Sequence, residues 1–170
     1  MSPSPRTTGN RHGSAVVSLP SDTEYLVTRD FDAPAELIFK AHTTPDLVRR
    51  WWGYGTSEWL VCDIDLRVGG AWRYVIREKD NEVGFHGDFH EIAGPHRLVF
   101  TEMFEGVVPL PDRADYPVNT MTLEEHDGVT TMRIHVQHKT QEERDMVLAT
   151  GMESGMQISY DRLEDLVRTR

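Results

Sequence analysis

Cysteine is almost absent. Cys62 stands alone among 170 residues, which excludes a disulfide framework of the secreted type. It sits in the strand-like run WLVCDIDL with no histidine beside it, the setting of a small buried strand residue and not of an activated nucleophile. Basic charge is also scarce. Lys and Arg total 18 against 28 Asp and Glu, a formal charge of −10. No run of them forms the patch that nucleic acid or an anionic membrane surface requires. No apolar stretch reaches the roughly 18 residues of a membrane helix. The N-terminal MSPSPRTTGNRHGS lacks the apolar segment of a signal peptide. The expectation is a cytoplasmic protein with no membrane span and no nucleic-acid partner. Phosphate-cradling loops, nucleophile elbows and dinucleotide fingerprints are missing too, so no cofactor is implied.

What is present is enough chain for one domain with a substantial core. Residues 1–20 are rich in Ser, Pro, Thr and Gly and read as a flexible tail, unable to bury enough apolar surface to offset the entropy of ordering. Residues 21–170 read as the domain. EYLVTRDF from Glu24 is a strand. Pro34 opens a short helix, with Asp32 or Ala33 near its cap, and Thr43 or Thr44 caps a second that has Pro45 in its first turn. Six strands follow: WLVCDIDLRV, AWRYVIRE, VGFHGDFHEI, RLVFTEMF, TMTLEEH and TTMRIHVQH, with turns at Gly69-Gly70, Gly94-Pro95 and Asp127-Gly128. Thr140 and Glu143 make a capping box, and no proline interrupts the chain from Gln141 to Arg168. One helix of about 27 residues, some 40 Å long, is expected there. Strands grouped apart from helices make an α+β fold, with an antiparallel sheet of about seven strands around the long C-terminal helix.

This order resembles the helix-grip fold of the steroid-transfer lipid-binding domains and the birch-pollen-allergen-like proteins. Four segments narrow the resemblance to the family related to the C-terminal domain of the activator of the heat-shock protein 90 ATPase: PAELIFKAHTTPDLVRRWWG, DIDLRVGGAWRY, HGDFHEIAGPHRLVFTE and GMESGMQISYDRLEDLV. The resemblance covers about residues 24–168. The resemblance implies a cavity between sheet and C-terminal helix. In the wider superfamily that cavity takes lipids, steroids, polyketides or hormones, and a few members are cyclases or dehydratases. The family's namesake instead stimulates a chaperone.

Several residues could carry such a function. Trp51, Trp52, Trp72, Tyr74, Phe89 and Phe100 supply the large apolar faces typical of ligand pockets; they would serve equally as core. Met152 and Met156 add adaptable thioethers. Gly151 and Gly155, placed in mid-helix, mark either close approach of helix and sheet or space for a ligand. Glu102 shares a strand face with Leu98, Phe100 and Phe104. Turned inward, its carboxyl would be a raised-pKa acid–base or anchoring group. A twist of the strand would expose it, and Arg67 or Arg73 could pair with it. His86, Asp88 and His90 alternate on one strand and could present metal ligands or merely a solvated face; no metal is assigned. Val107, Val108 and Leu110 form an apolar loop, a lid or an outer packing segment. The expected function is binding of a small hydrophobic ligand. Cyclase or dehydratase chemistry through Glu102 and a chaperone-interaction module are the alternatives. Pairing of exposed strand edges is a route to a homodimer.

Overall fold

The computed structural model describes residues 11–106 and 111–168. Nine strands form one antiparallel sheet: β1 Val16–Ser21, β2 Glu24–Phe31, β3 Glu58–Ile64, β4 Ala71–Glu78, β5 Asn81–Ala93, β6 Arg97–Thr101, β7 Met103–Phe104, β8 Val118–His126 and β9 Val129–Gln137. Their order across the sheet is β1-β2-β9-β8-β6-β5-β4-β3, with β7 paired to β5. Helices α1 Ala35–Thr43 and α2 Pro45–Trp51 follow β2, and α3 Gln141–Ala149 and α4 Met152–Arg168 close the chain. This is the helix-grip architecture: a curved antiparallel sheet around a C-terminal helix.

Alternation builds the sheet. Tyr25, Val27, Arg29 and Phe31 of β2 are buried between half-buried neighbours, as are Asn119, Met121 and Leu123 of β8 and Met132, Ile134 and Val136 of β9. The period of two puts each set on one face. On α4, Tyr160, Leu163, Glu164 and Val167 are buried, the i, i+3, i+4, i+7 stripe of a helix laid against a core. Tyr160 packs on Trp51, with ring centroids 6.1 Å apart, and edge-on to Phe31.

The structure departs from the sequence reading at both ends. The segment read as a tail contains β1, paired antiparallel with β2. Side chains from the domain tie it down before the strand begins. Arg11 makes two hydrogen bonds to Asp32, and Gln157 bonds both the N–H and the carbonyl of Ala15. These bonds offset the ordering entropy that a Ser/Pro-rich segment cannot offset by apolar burial alone. Residues 1–10 of the expected tail, and the apolar loop residues Val107, Val108 and Leu110, lie outside the described residues.

The single long helix is two. Gly151, with φ +78°, takes the left-handed conformation that ends a helix, so α3 stops and α4 restarts one residue later. Its 17 residues span about 26 Å. Gly155 is helical, and a Cβ there would meet the Tyr54 hydroxyl at 2.8 Å: close approach, not ligand space. Thr140 caps α3 as expected, its side chain accepting from the Glu143 N–H. The strand count rises from seven to nine because β1 was assigned to the tail and because RLVFTEMF divides at Glu102.

Candidate functional site

That division positions Glu102. β6 pairs with β5 at Phe89↔Phe100, and β7 resumes the pairing at His86↔Met103 and Phe85↔Phe104. Between them, Gly87 lets the Thr101 carbonyl come so close that a Cβ on residue 87 would lie 1.8 Å from its oxygen. The Trp72 indole N–H donates to that same oxygen at 3.0 Å, and the Thr101 hydroxyl oxygen accepts from the Asp88 N–H at 2.9 Å. Glu102 itself donates its backbone N–H to Pro117. Backbone bonds on both sides therefore pin the residue at the break.

Burial pushes the Glu102 carboxyl up to about 7. Its charge, behind the larger effect of burial, raises the hydroxyls of Tyr25 and Tyr160; at Tyr74, Cys62 acts between the two. The charge of Glu102 thus reaches phenols from β2, β4 and α4. Among the described residues neither its carboxylate nor any of these three hydroxyls has a hydrogen-bond partner within the protein. The suggested partners are engaged elsewhere. Arg67 bonds Asp65 at 2.8 Å, and Arg73 bonds Glu105 at 2.9 Å on the opposite face of the sheet. Asn119, 5% exposed, sits on β8 across from Phe100, and its Nδ2 has no partner either.

The aromatic residues extend outward from this point. Trp72 is 4.7 Å from Tyr74, Tyr74 is 5.2 Å from Trp52, Trp52 is 5.2 Å from Phe85, and Phe85 is 5.4 Å from the exposed Phe104, all between ring centroids. Trp59 flanks Trp52 and Tyr74. The sequence candidates Trp52, Trp72, Tyr74 and Glu102 therefore come together. Phe100 joins them through Trp72, with Phe89 beside it in register. Trp51 is turned toward Tyr160 and His42, its indole N–H donating to the Ala41 carbonyl. Met152 and Met156 are half-buried and pack against the core from α4.

Tyr25, Tyr160 and Asn119 were missed by the sequence reading. The signals were there: Tyr160 falls on the helical stripe between Met156 and Leu163, and Asn119 precedes Met121 by one period of its strand.

His86, Asp88 and His90 are not gathered around a common point. His86 Nδ1 lies 2.8 Å from Glu105 and Nε2 lies 2.9 Å from the Tyr116 hydroxyl, while Asp88 bonds Arg113 and His90 is exposed. Arg73 and His86 hold Glu105 below the usual carboxylate range. These residues border a depression of about 380 Å³ on the outer face. Another, of about 520 Å³, lies along α3 between Gln141 and Ala149. Neither borders Glu102. Cys62 is buried, with its thiol pushed up to about 11, so it offers no thiolate near neutral pH. Among the described residues no helix is long and apolar enough to cross a membrane, and no His, Cys, Asp and Glu cluster could hold a metal.

The fold recurs among solved structures. A protein of Rhodobacter sphaeroides superposes with a TM-score of 0.81 at 24% identity, covering 92% of this chain and 99% of its own. A Mycobacterium smegmatis protein does so with 0.78 at 25% identity, covering 90% and 96%. An HSP90 activator from Plasmodium falciparum matches more loosely, with 0.52 at 21% identity over 68% and 73%. No curated protein matches the sequence. The profile of the family described as Activator of Hsp90 ATPase homolog 1-like protein matches residues 32–168, and on that match, with the fold in agreement, the chain belongs to this family.

Proposed function

We propose that this protein binds a small, mainly apolar ligand between the sheet and α4, with Glu102 as the anchoring group. The observation that carries the reading is a half-buried carboxyl, in a setting that drives it toward neutrality, left without a partner among the described residues. A buried charge is costly unless it is paired or neutralised, and a chain selected for stability alone would have replaced it. The three facing hydroxyls support the same reading. They too have no hydrogen-bond partner among the described residues. The aromatic row from Trp72 to Phe104 would hold the apolar body of the ligand.

Native mass spectrometry of freshly purified protein tests this directly. A co-purified small molecule that is lost in Met152→Trp, with the fold retained, is expected; unchanged uptake would remove α4 from the site. A second reading is favoured by the pKa near 7 of Glu102: acid–base chemistry on the bound molecule, since such a group is poised to take and return a proton at neutral pH. In that case Glu102→Gln should lower turnover by about 10²-fold or more, and an equal rate would exclude Glu102 from the reaction.

A further inference from the structure

This inference rests on the ligand-binding reading above and specifies the ligand's chemistry. The charges around the site decide it. Arg29 of β2 is buried, but its guanidinium is already shared between Glu164 at 2.9 Å and Asp161 at 3.2 Å. Arg144 is held by Asp145 and by backbone carbonyls of Ser21 and Glu24. With Arg67 and Arg73 paired to Asp65 and Glu105, Glu102 keeps no cation, and the chain as a whole carries −10. A fatty acid or other anion would bring a second carboxylate beside the first, which neither field nor solvation favours. An ammonium group has three donors and no acceptor. The carboxylate and the phenol oxygens supply acceptors for it, and Trp and Tyr faces attract a cation.

We propose that the ligand is a hydrophobic amine. Its ammonium sits on the Glu102 carboxylate among Tyr25, Tyr74 and Tyr160, and its apolar body lies along Trp72, Tyr74, Trp52 and Phe85.

The pH dependence of binding separates this from a neutral ligand. The titratable groups facing Glu102 are Tyr25 from β2, Tyr74 from β4 and Tyr160 from α4, all raised by burial and neutral near pH 7. Behind Tyr25, His138 is pulled down by burial and by Arg144; behind Tyr74, Cys62 stays a thiol. Of Glu102 and the three phenols, Glu102 is the one that changes charge between pH 6 and pH 8. An amine should therefore bind about tenfold more tightly at pH 8 than at pH 6, following the ionised fraction of a group near 7.

The test is calorimetric titration of the full chain with three probes sharing one body: naphthylethylamine, naphthylethanol and naphthylacetate. The expected order at pH 8 is amine first by about tenfold or more, then alcohol, then acid, with only the amine gaining affinity from pH 6 to pH 8. In Glu102→Gln, the preference for amine and its pH dependence should vanish while naphthylethanol still binds. Alcohol binding as tight as amine, or an amine preference that survives Glu102→Gln, overturns the amine assignment and leaves the ligand-binding reading standing. Failure of all three probes to bind overturns both. The comparison of probes on the unaltered protein decides the matter even if the variant does not fold.

Discussion

Among the described residues, Glu164 is fully buried and Glu102 is half-buried, and their surroundings are opposite. Glu164 on α4 is 1% exposed. One of its oxygens accepts from Arg29 at 2.9 Å and the other from the Asp32 backbone N–H at 3.0 Å. Glu102, at the break between β6 and β7, has a carboxyl driven toward neutrality by burial and, among the described residues, without a hydrogen-bond partner. At the end of the grip where β2 turns into α1, charge is neutralised within the fold and ties helix to sheet. At the end where β4, β5 and β7 meet, charge is left open. A protein stabilises the first kind of site and keeps the second kind at a cost to stability, which is what a binding group requires.

Substitutions should therefore have opposite signs at the two ends. The largest effect is expected from Arg29→Met, which leaves Glu164 buried and unpaired. Urea unfolding should report a loss of about 3–5 kcal/mol. Glu102→Gln should act the other way. Between the ordinary carboxyl value of 4.5 and about 7, the folded chain holds a proton that the unfolded chain has released. Stability therefore falls as pH rises through that window and levels off above it. The variant should lose this dependence, being as stable as the parent near pH 5 and more stable by up to about 3 kcal/mol at pH 8. Thermal unfolding of both proteins across pH 5–8 checks this, and parallel curves would mean that Glu102 is solvated.

A smaller contrast sharpens the same comparison between two polar side chains on neighbouring strands. The Thr130 hydroxyl donates to the Ala33 carbonyl at 2.7 Å, fully buried. Thr130→Val should cost about 1–2 kcal/mol because it strands that carbonyl. Asn119 has an unpartnered Nδ2, and Asn119→Leu should be neutral or stabilising by about 1 kcal/mol, while weakening any ligand with an acceptor near β8. Paired melts of the two variants read both effects.

Much of this was legible in the sequence, for physical reasons that differ by element. β4 and β9 were readable because alternation and tight turns are local signals. The Thr140 cap was readable because its partner, Glu143, is three residues away. Glu102 could be singled out because a carboxylate on an apolar strand face is anomalous wherever the strand goes. Its lack of a partner was not legible, since that depends on where Arg67 and Arg73 point in the folded chain. β1 was missed because its order comes from Gln157 and Asp32, distant in sequence. The break at Gly151 was missed because a glycine inside an apolar stripe is equally compatible with a kink, a contact or an end.

The break at Glu102, opposite Gly87, separates two properties that most binding sites keep entangled. Glu102 is set in place by main-chain bonds and by a glycine, whereas the side chains of Trp52, Trp59, Tyr74 and Phe85 pack on one another through ring contacts. The lining can drift residue by residue and the anchor will not move with it. Under the ligand-binding role proposed above, a lineage built on this frame can exchange one cargo for another while retaining the same point of attachment, so divergence in specificity should be written in the aromatic positions and continuity in Gly87, Thr101 and Glu102.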